Sequence, residues 1–214
     1  SVRLFTLEPS TPLSFKAGQF LNLFFQEGET KHRKPYSIAS SPYHSDAIEL
    51  CITYVPGGRS TPALFNLSSG DTVQLMGGMG LFCLDHATQD HLVFAGAGTG
   101  VAPLRSMIYE LLAQGSKQSL TLILGVRHES EILFQEEFAT LAQQNPQFTF
   151  IPVISRPAES WDGRTGYVQD HFEGFDQENT QFFLCGLPQM IEDAKNRLLT
   201  LGYTQQQIHE EKFV

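Results

Sequence analysis

Two patterns of apolar and polar positions divide the chain. Up to about residue 86, short runs of strand formers alternate with turn residues. Val2-Arg3-Leu4-Phe5 is strand material at the very start, so a first strand of this region is expected to be missing. Phe20 to Phe25 follows the turn Lys16-Ala17-Gly18, and Ile48 to Val55 alternates as a half-buried strand does. Thr72 to Met76 is entered through Ser69-Gly70-Asp71. Short strands joined by turns predict a small antiparallel barrel or sandwich.

From about residue 91 the period changes. A buried apolar run over 91–95 precedes a helix predicted over 101–113, with Leu104, Ile108, Leu111 and Leu112 at helical spacing. Strand 119–125, a helix over 134–144 (Phe134, Phe138, Leu141 and Ala142 on one face) and strands 148–154 and 181–185 follow. A last helix is predicted from Pro188, which suits a first helical position, to about Leu201, where Gly202 suits the stop. Strands alternating with helices predict a doubly wound α/β domain, a parallel sheet with crossovers on both faces. The polar stretch Asp85 to Asp90 is the predicted join, giving domains of 1–86 and 91–214.

Composition narrows the classes. With 214 residues, 41% hydrophobic and 17% charged, the chain can build two packed domains. A net charge of −9 argues against nucleic acid as partner. No apolar run approaches the ~20 residues of a membrane span. No signal-peptide pattern opens the chain. Three widely spaced cysteines (Cys51, Cys83, Cys185) and scattered histidines predict no disulfide framework, metal site or iron–sulfur cluster, and fit a reducing, cytoplasmic setting.

The candidate chemistry lies in three places. Gly96-Ala97-Gly98-Thr99-Gly100, ahead of Val101-Ala102-Pro103, sits between strand and helix, where free backbone N–H groups and the positive helix end suit a diphosphate. Lys34-Pro35-Tyr36-Ser37 puts a cation, an aromatic ring and a hydroxyl together, as a planar phosphorylated cofactor requires. Gly57-Gly58-Arg59-Ser60-Thr61 is a second glycine turn with backbone donors and two hydroxyls.

In this order the motifs resemble those of the ferredoxin–NADP reductase family, in the branch without an iron–sulfur domain. The family's Arg-x-Tyr-Ser matches at Lys34 to Ser37, with lysine where arginine is usual; Gly-x-x-Ser/Thr matches at Gly58 to Thr61. The pyridine-nucleotide loop matches at Gly96 to Pro103, the late Cys-Gly at Cys185-Gly186, and the terminal acid and aromatic at Glu211 and Phe213. The resemblance implies an FAD-binding barrel ahead of an NAD(P)-binding domain. Tyr36 would stack on the flavin, with Ser37 near its reactive nitrogen. Lys34 or Arg33, with Gly57, Gly58, Arg59, Ser60 and Thr61, would hold the FAD diphosphate; a lysine cannot grip two oxygens as arginine does. Gly96, Gly98, Thr99 and Gly100 would hold the nicotinamide nucleotide, and Cys185 would flank its ring or else serve as core. Ser37, Cys185 and Glu211 are the candidate catalytic residues. Phe213 would stack on the flavin or seal the core.

The resemblance further implies that hydride would pass from NAD(P)H to FAD, and electrons onward to ferredoxin, flavodoxin, an oxygenase component or free flavin. The alternative is a flavin- and nucleotide-binding subunit active only in a complex. Ser155-Arg156, Gly163-Arg164 and Tyr167, with Arg127, stand where cations would read the 2′-phosphate of NADP(H), so NADPH is expected over NADH.

Overall fold

A computed structural model describes residues 1–27, 29–43 and 46–213. Its first part contains β1 (Val2–Leu7), β2 (Phe20–Glu27), β3 (Thr30–Ser37), β4 (Ile48–Thr53), the short helix α1 (Thr61–Phe65) and β5 (Gln74–Met79). β1 pairs with β4, and β2 lies between β3 and β5, all antiparallel. The bridge between Ile38 and Leu50, and the Ala39 N–H donated to the Glu49 carbonyl at 2.8 Å, tie the two sheets together. Between them lie Leu21, Leu23, Ile38, Ile48, Leu50, Ile52 and Leu64, fully or almost fully buried.

β5 starts at Gln74 and runs through two glycines, where the apolar pattern predicts 72–76. A Cβ on Gly77 would lie 2.6 Å from that of Leu21, so glycine lets the strand close on β2. Periodicity counts such a residue as neither apolar nor polar, and misplaces the strand.

The second part contains β6 (His91–Ala97), α2 (Val101–Ala113), β7 (Ser119–Val126), α3 (Gln135–Gln144), β8 (Phe148–Ile154), β9 (Arg164–Thr165), β10 (Thr180–Gly186), α4 (Pro188–Thr200) and β11 (Ile208–Lys212). These strands form one parallel sheet in the order β11-β10-β6-β7-β8-β9. Alternate residues of each strand feed opposite layers. Phe94, Leu122, Phe183 and Cys185 pack under α2 and α3; Val93, Ile123, Phe182 and Leu184 pack under α4. The sequence pattern misses β11, whose Ile-His-Glu-Glu-Lys carries one apolar residue, and β9, which is two residues long. Phe134 has a left-handed φ of 57°, so α3 starts one residue later than the apolar spacing predicts.

Helix α2 is buried along most of its length because it has two neighbours: the parallel sheet beneath and the first part of the chain above. Its upward face carries Ala102, packed with Ala39 and Cys51, and Arg105 and Ser106. The Arg105 side chain is 9% exposed, and four of its five N–H groups are donated within the protein. Nη1 reaches the Ala39 carbonyl and Glu49 Oε2, both at 2.7 Å; Nε and Nη2 fork onto Glu137 at 2.6 and 3.0 Å. Ser106 Oγ donates to the Ser40 carbonyl at 2.6 Å. One cation thus ties β4, the segment after β3, α2 and α3 together. Removing one member of a buried ion network leaves unpaired charge, at a cost of about 3–5 kcal/mol. Arg105→Met should lower the unfolding free energy by that amount in a urea titration at neutral pH. A loss below about 1 kcal/mol, the level of a surface pair, would show that the network carries no such weight.

Candidate functional site

β3 is an edge strand, which is where a strand tolerates Pro35. The residues after it are tethered to Glu49 and Arg105, so the end of β3 is held firmly at Tyr36 and Ser37. The half-buried Tyr36 donates its hydroxyl to Ser60 Oγ at 3.2 Å, linking the first motif to the second glycine turn. Burial pushes the Tyr36 phenol up, with the Ser60 contact opposing. In that turn Gly57 has a φ of 71°, and space where a Cβ would stand is open. Thr61 also lines the site, with its hydroxyl engaged by the turn: it accepts the Val55 N–H at 2.9 Å and donates to the Val55 carbonyl at 3.2 Å. Its hydroxyl therefore shapes the turn.

The three glycines of the nucleotide loop do different things. A Cβ on Gly100 would lie 2.3 Å from the Cys185 carbonyl oxygen, and one on Gly96 would lie 2.9 Å from Leu104 Cδ1. These two glycines let β6, β10 and α2 come together. Gly98 has a φ of 52° and open space before it, so it is the one that offers backbone to a ligand. Pro103 is buried in the first turn of α2, where its missing N–H is harmless. Strand order reverses between β6 and β10, so the loop stands at the crevice where doubly wound sheets take their ligands.

Both parts of the chain line one cavity of about 1010 Å³. Arg33, Lys34, Tyr36, Ser37, Arg59 and Ser60 line it from one part, and Thr99, Glu211 and Phe213 from the other. Thr53 Oγ1 and Thr99 Oγ1 meet across it at 3.4 Å. Ser37 Oγ donates to Glu211 Oε2 at 3.2 Å, and the Phe213 N–H donated to the Gly186 carbonyl at 2.9 Å anchors the end of β11. Arg33, Lys34 and Arg59 make no ion pair among the described residues, so three cations stand free for an anion. A half-buried ring beside a hydroxyl, free cations and an open glycine turn is a donor set that fits FAD.

Cys185 lies behind the loop rather than in the cavity wall. It is fully buried on the α2 side of the sheet, and burial, with Glu211 adding to it, holds the thiol well above its ordinary range. Cys51 is in the wall, and burial pushes its thiol up to about 12. Neither thiol ionises at neutral pH. Sequence reasoning missed Cys51 and Thr53, which stand on an ordinary-looking strand where no motif points to them, and it passed over Lys212 between the matched Glu211 and Phe213.

A second group stands on the carboxyl edge of the sheet, the edge that also carries the glycine loop. Arg127 follows β7, Ser155-Arg156 follows β8, Arg164 opens β9, and Tyr167 is 63% exposed just beyond. The Arg156 N–H donated to the Arg127 carbonyl at 2.8 Å keeps the two together. No ion pair engages these three arginines among the described residues. Glu131, which the sequence places near Arg127, accepts the N–H groups of Arg127 and His128, both at 3.1 Å, through Oε2.

A family model for the oxidoreductase FAD-binding domain matches residues 1–83, and one for the oxidoreductase NAD-binding domain matches residues 94–196. The chain is 33% identical over 208 residues to a ferredoxin–NADP reductase B of Sorangium cellulosum, covering 93% of this chain and 85% of that protein. It is 30% identical over 214 residues to the phenol hydroxylase P5 protein of Acinetobacter pittii, covering 97% of this chain but 60% of that protein. A crystal structure of a ferredoxin NADP+ reductase from Neisseria gonorrhoeae with bound FAD and NADP superposes with a TM-score of 0.89 at 25% identity, covering 99% of this chain and 92% of that one. Among the described residues no helix is long and apolar enough to cross a membrane.

Glu211 carries a pH signature. Burial raises its carboxyl above the ordinary 4.5, with the Ser37 hydrogen bond opposing. The folded chain therefore keeps a proton that the unfolded chain gives up, so this group's contribution is fully present below pH 4.5 and is lost as pH rises through the folded value. Urea unfolding from about pH 4.5 upward should show that loss in the parent and not in Glu211→Gln. Equal pH slopes in both would contradict it.

Flavin motif, glycine loop and C-terminal acid meet in one cavity beneath matching domains, and the chain belongs to the ferredoxin–NADP reductase family of FAD- and NAD(P)-dependent oxidoreductases.

Proposed function

We propose that this chain takes hydride from NADPH into FAD and passes the electrons to a separate acceptor, a ferredoxin, a flavodoxin or an oxygenase component. The observation that carries the reading is the cavity walled by both parts, with Tyr36 and Ser37 facing Thr99, Glu211 and Phe213. The FAD-binding part would be 1–86 and the nucleotide-binding part 91–214. The setting we propose is the cytoplasm, in keeping with three buried, unpaired thiols.

When bound, FAD supplies the step from a two-electron hydride donor to acceptors taking electrons singly. The protein's residues bind and orient. Tyr36 gives a ring to stack on, its angle fixed by Ser60. Arg33, Lys34 and Arg59 neutralise the FAD diphosphate, and the Gly98 backbone with Thr99 takes that of the nucleotide. Glu211 accepts a hydrogen bond from Ser37, and its burial, against that bond, keeps a proton at the carboxyl to higher pH than a solvated acid would. Cys185 and Gly186 back the nicotinamide, and Phe213 shields the flavin. No side chain need act as nucleophile, because proximity and exclusion of water suffice for hydride transfer. Relatives named as the reductase component DmpP of a phenol 2-monooxygenase, 32% identical over 210 residues, and as a reductase component of a terephthalate 1,2-dioxygenase, 29% identical over 204, support an oxygenase component as acceptor.

NADPH is preferred in this reading because Arg127, Arg156 and Arg164 stand at the sheet edge with no ion pair among the described residues, with Tyr167 beside them to stack on adenine. The purified protein should be yellow, or become so on adding FAD, and should bleach with NADPH. A charge-assisted hydrogen bond is worth about 1.5–3 kcal/mol, roughly 10- to 150-fold in affinity. Arg156→Ala should raise the Kd for NADPH by that factor and leave NADH unchanged. Failure to take up FAD, or equal losses for both nucleotides, would contradict the cofactor assignment and the phosphate assignment respectively.

A further inference from the structure

We propose that Arg105 is a positioning residue for hydride transfer: with Glu49 it fixes the distance between the flavin motif and the nucleotide loop. The inference rests on the reading of function above. It starts from the place of Arg105 in the chain, five residues after Gly100 on the helix that the nucleotide loop opens. Its Nη1 reaches the Ala39 carbonyl, two residues past Ser37. One guanidinium therefore spans the backbone that carries the flavin hydroxyl and the helix that carries the nucleotide loop. Ser106 repeats the link one residue on, to the Ser40 carbonyl. Arg105 is not among the residues that line the cavity, so any effect it has on the reaction runs through the elements it joins.

The two carboxylates on Arg105 separate positioning from mere stability. Glu49 stands on β4 and pulls Arg105 toward the flavin side; Glu137 stands on α3, in the same part as Arg105 itself. Their side chains are similarly exposed, 26% and 30%. Glu137 makes two hydrogen bonds to the guanidinium and Glu49 one. A purely structural role makes the loss of Glu137 the more damaging. A positioning role makes the loss of Glu49 the one that reaches the chemistry, since a displacement of about 1 Å costs up to about 100-fold in rate.

The test compares Glu49→Ala with Glu137→Ala in the full chain. Anaerobic stopped-flow with NADPH should show flavin reduction slowed about 10- to 100-fold in Glu49→Ala, with the nucleotide Kd and FAD content kept. Glu137→Ala should reduce flavin at the parent rate despite an equal or larger loss of thermal stability. In the flavin-free chain, amide exchange at Ala39 to Ser41 and over Thr99 to Leu104 should speed up in Glu49→Ala only. If Glu49→Ala does not fold, Ser106→Ala, which removes the second link, should slow reduction in the same sense. Rates that follow thermal stability in both variants, or exchange that rises equally in both, would overturn the proposal. A parent that holds FAD but is reduced by neither nucleotide would overturn the reading of function, while the exchange comparison would still decide whether Glu49 holds the interface.

Discussion

A guanidinium is expensive to bury, and Arg105 is buried between the two parts of this chain. Out of water, it must find acceptors for its N–H groups and countercharge for its cation. Both come from elements far apart in sequence: Glu49 and Ala39 above, Glu137 below. Phe134, whose ring lies 4.6 Å from the guanidinium carbon, closes one side. The placement of α2 seen here satisfies all of these at once. That placement also fixes Gly98 and Thr99 at one end of α2, and Tyr36 and Ser37 at the end of β3. The buried charge thus joins the segment after Ser37 to the helix that the glycine loop opens.

Around this tie, the cavity follows from packing. Gly100 and Gly96 let the switch point of the sheet close, and β11 then adds beside β10. Pairing in register with Cys185 brings Glu211 to Ser37 in the cavity wall. The site is therefore assembled from residues 174 positions apart. Its cations make no ion pair among the described residues, while the cation that joins the two parts is paired with two carboxylates. That division of labour separates Arg33, Lys34 and Arg59 from Arg105, although all four are basic.

The motifs and the alternation of strand and helix were legible in the sequence because each depends on residues close together. Gly96 to Pro103, Tyr36-Ser37 and Gly57 to Thr61 carry their chemistry locally, and the apolar runs of the parallel sheet are long enough to declare themselves. What depends on distant partners was not legible. Arg105 stands in an apolar helix, and its oddity there was a signal, but nothing local names Glu49 and Glu137 as its partners. β11 was hidden because an edge strand with polar residues has no apolar stripe to reveal it. Two further details also came only with the fold: the Thr61 hydroxyl is bonded to Val55, and the Cys185 thiol, expected to flank the nicotinamide or to serve as core, lies fully buried behind the loop.

The central claim is that nicotinamide and flavin meet in the cavity between the two parts and exchange hydride directly there. Anaerobic single-turnover reduction with NADPH, carrying either hydrogen or deuterium at the transferred position, tests this most directly. The account predicts bleaching of the flavin absorbance that is slower with deuterium. No bleaching, or bleaching at the same rate with both isotopes, would contradict it.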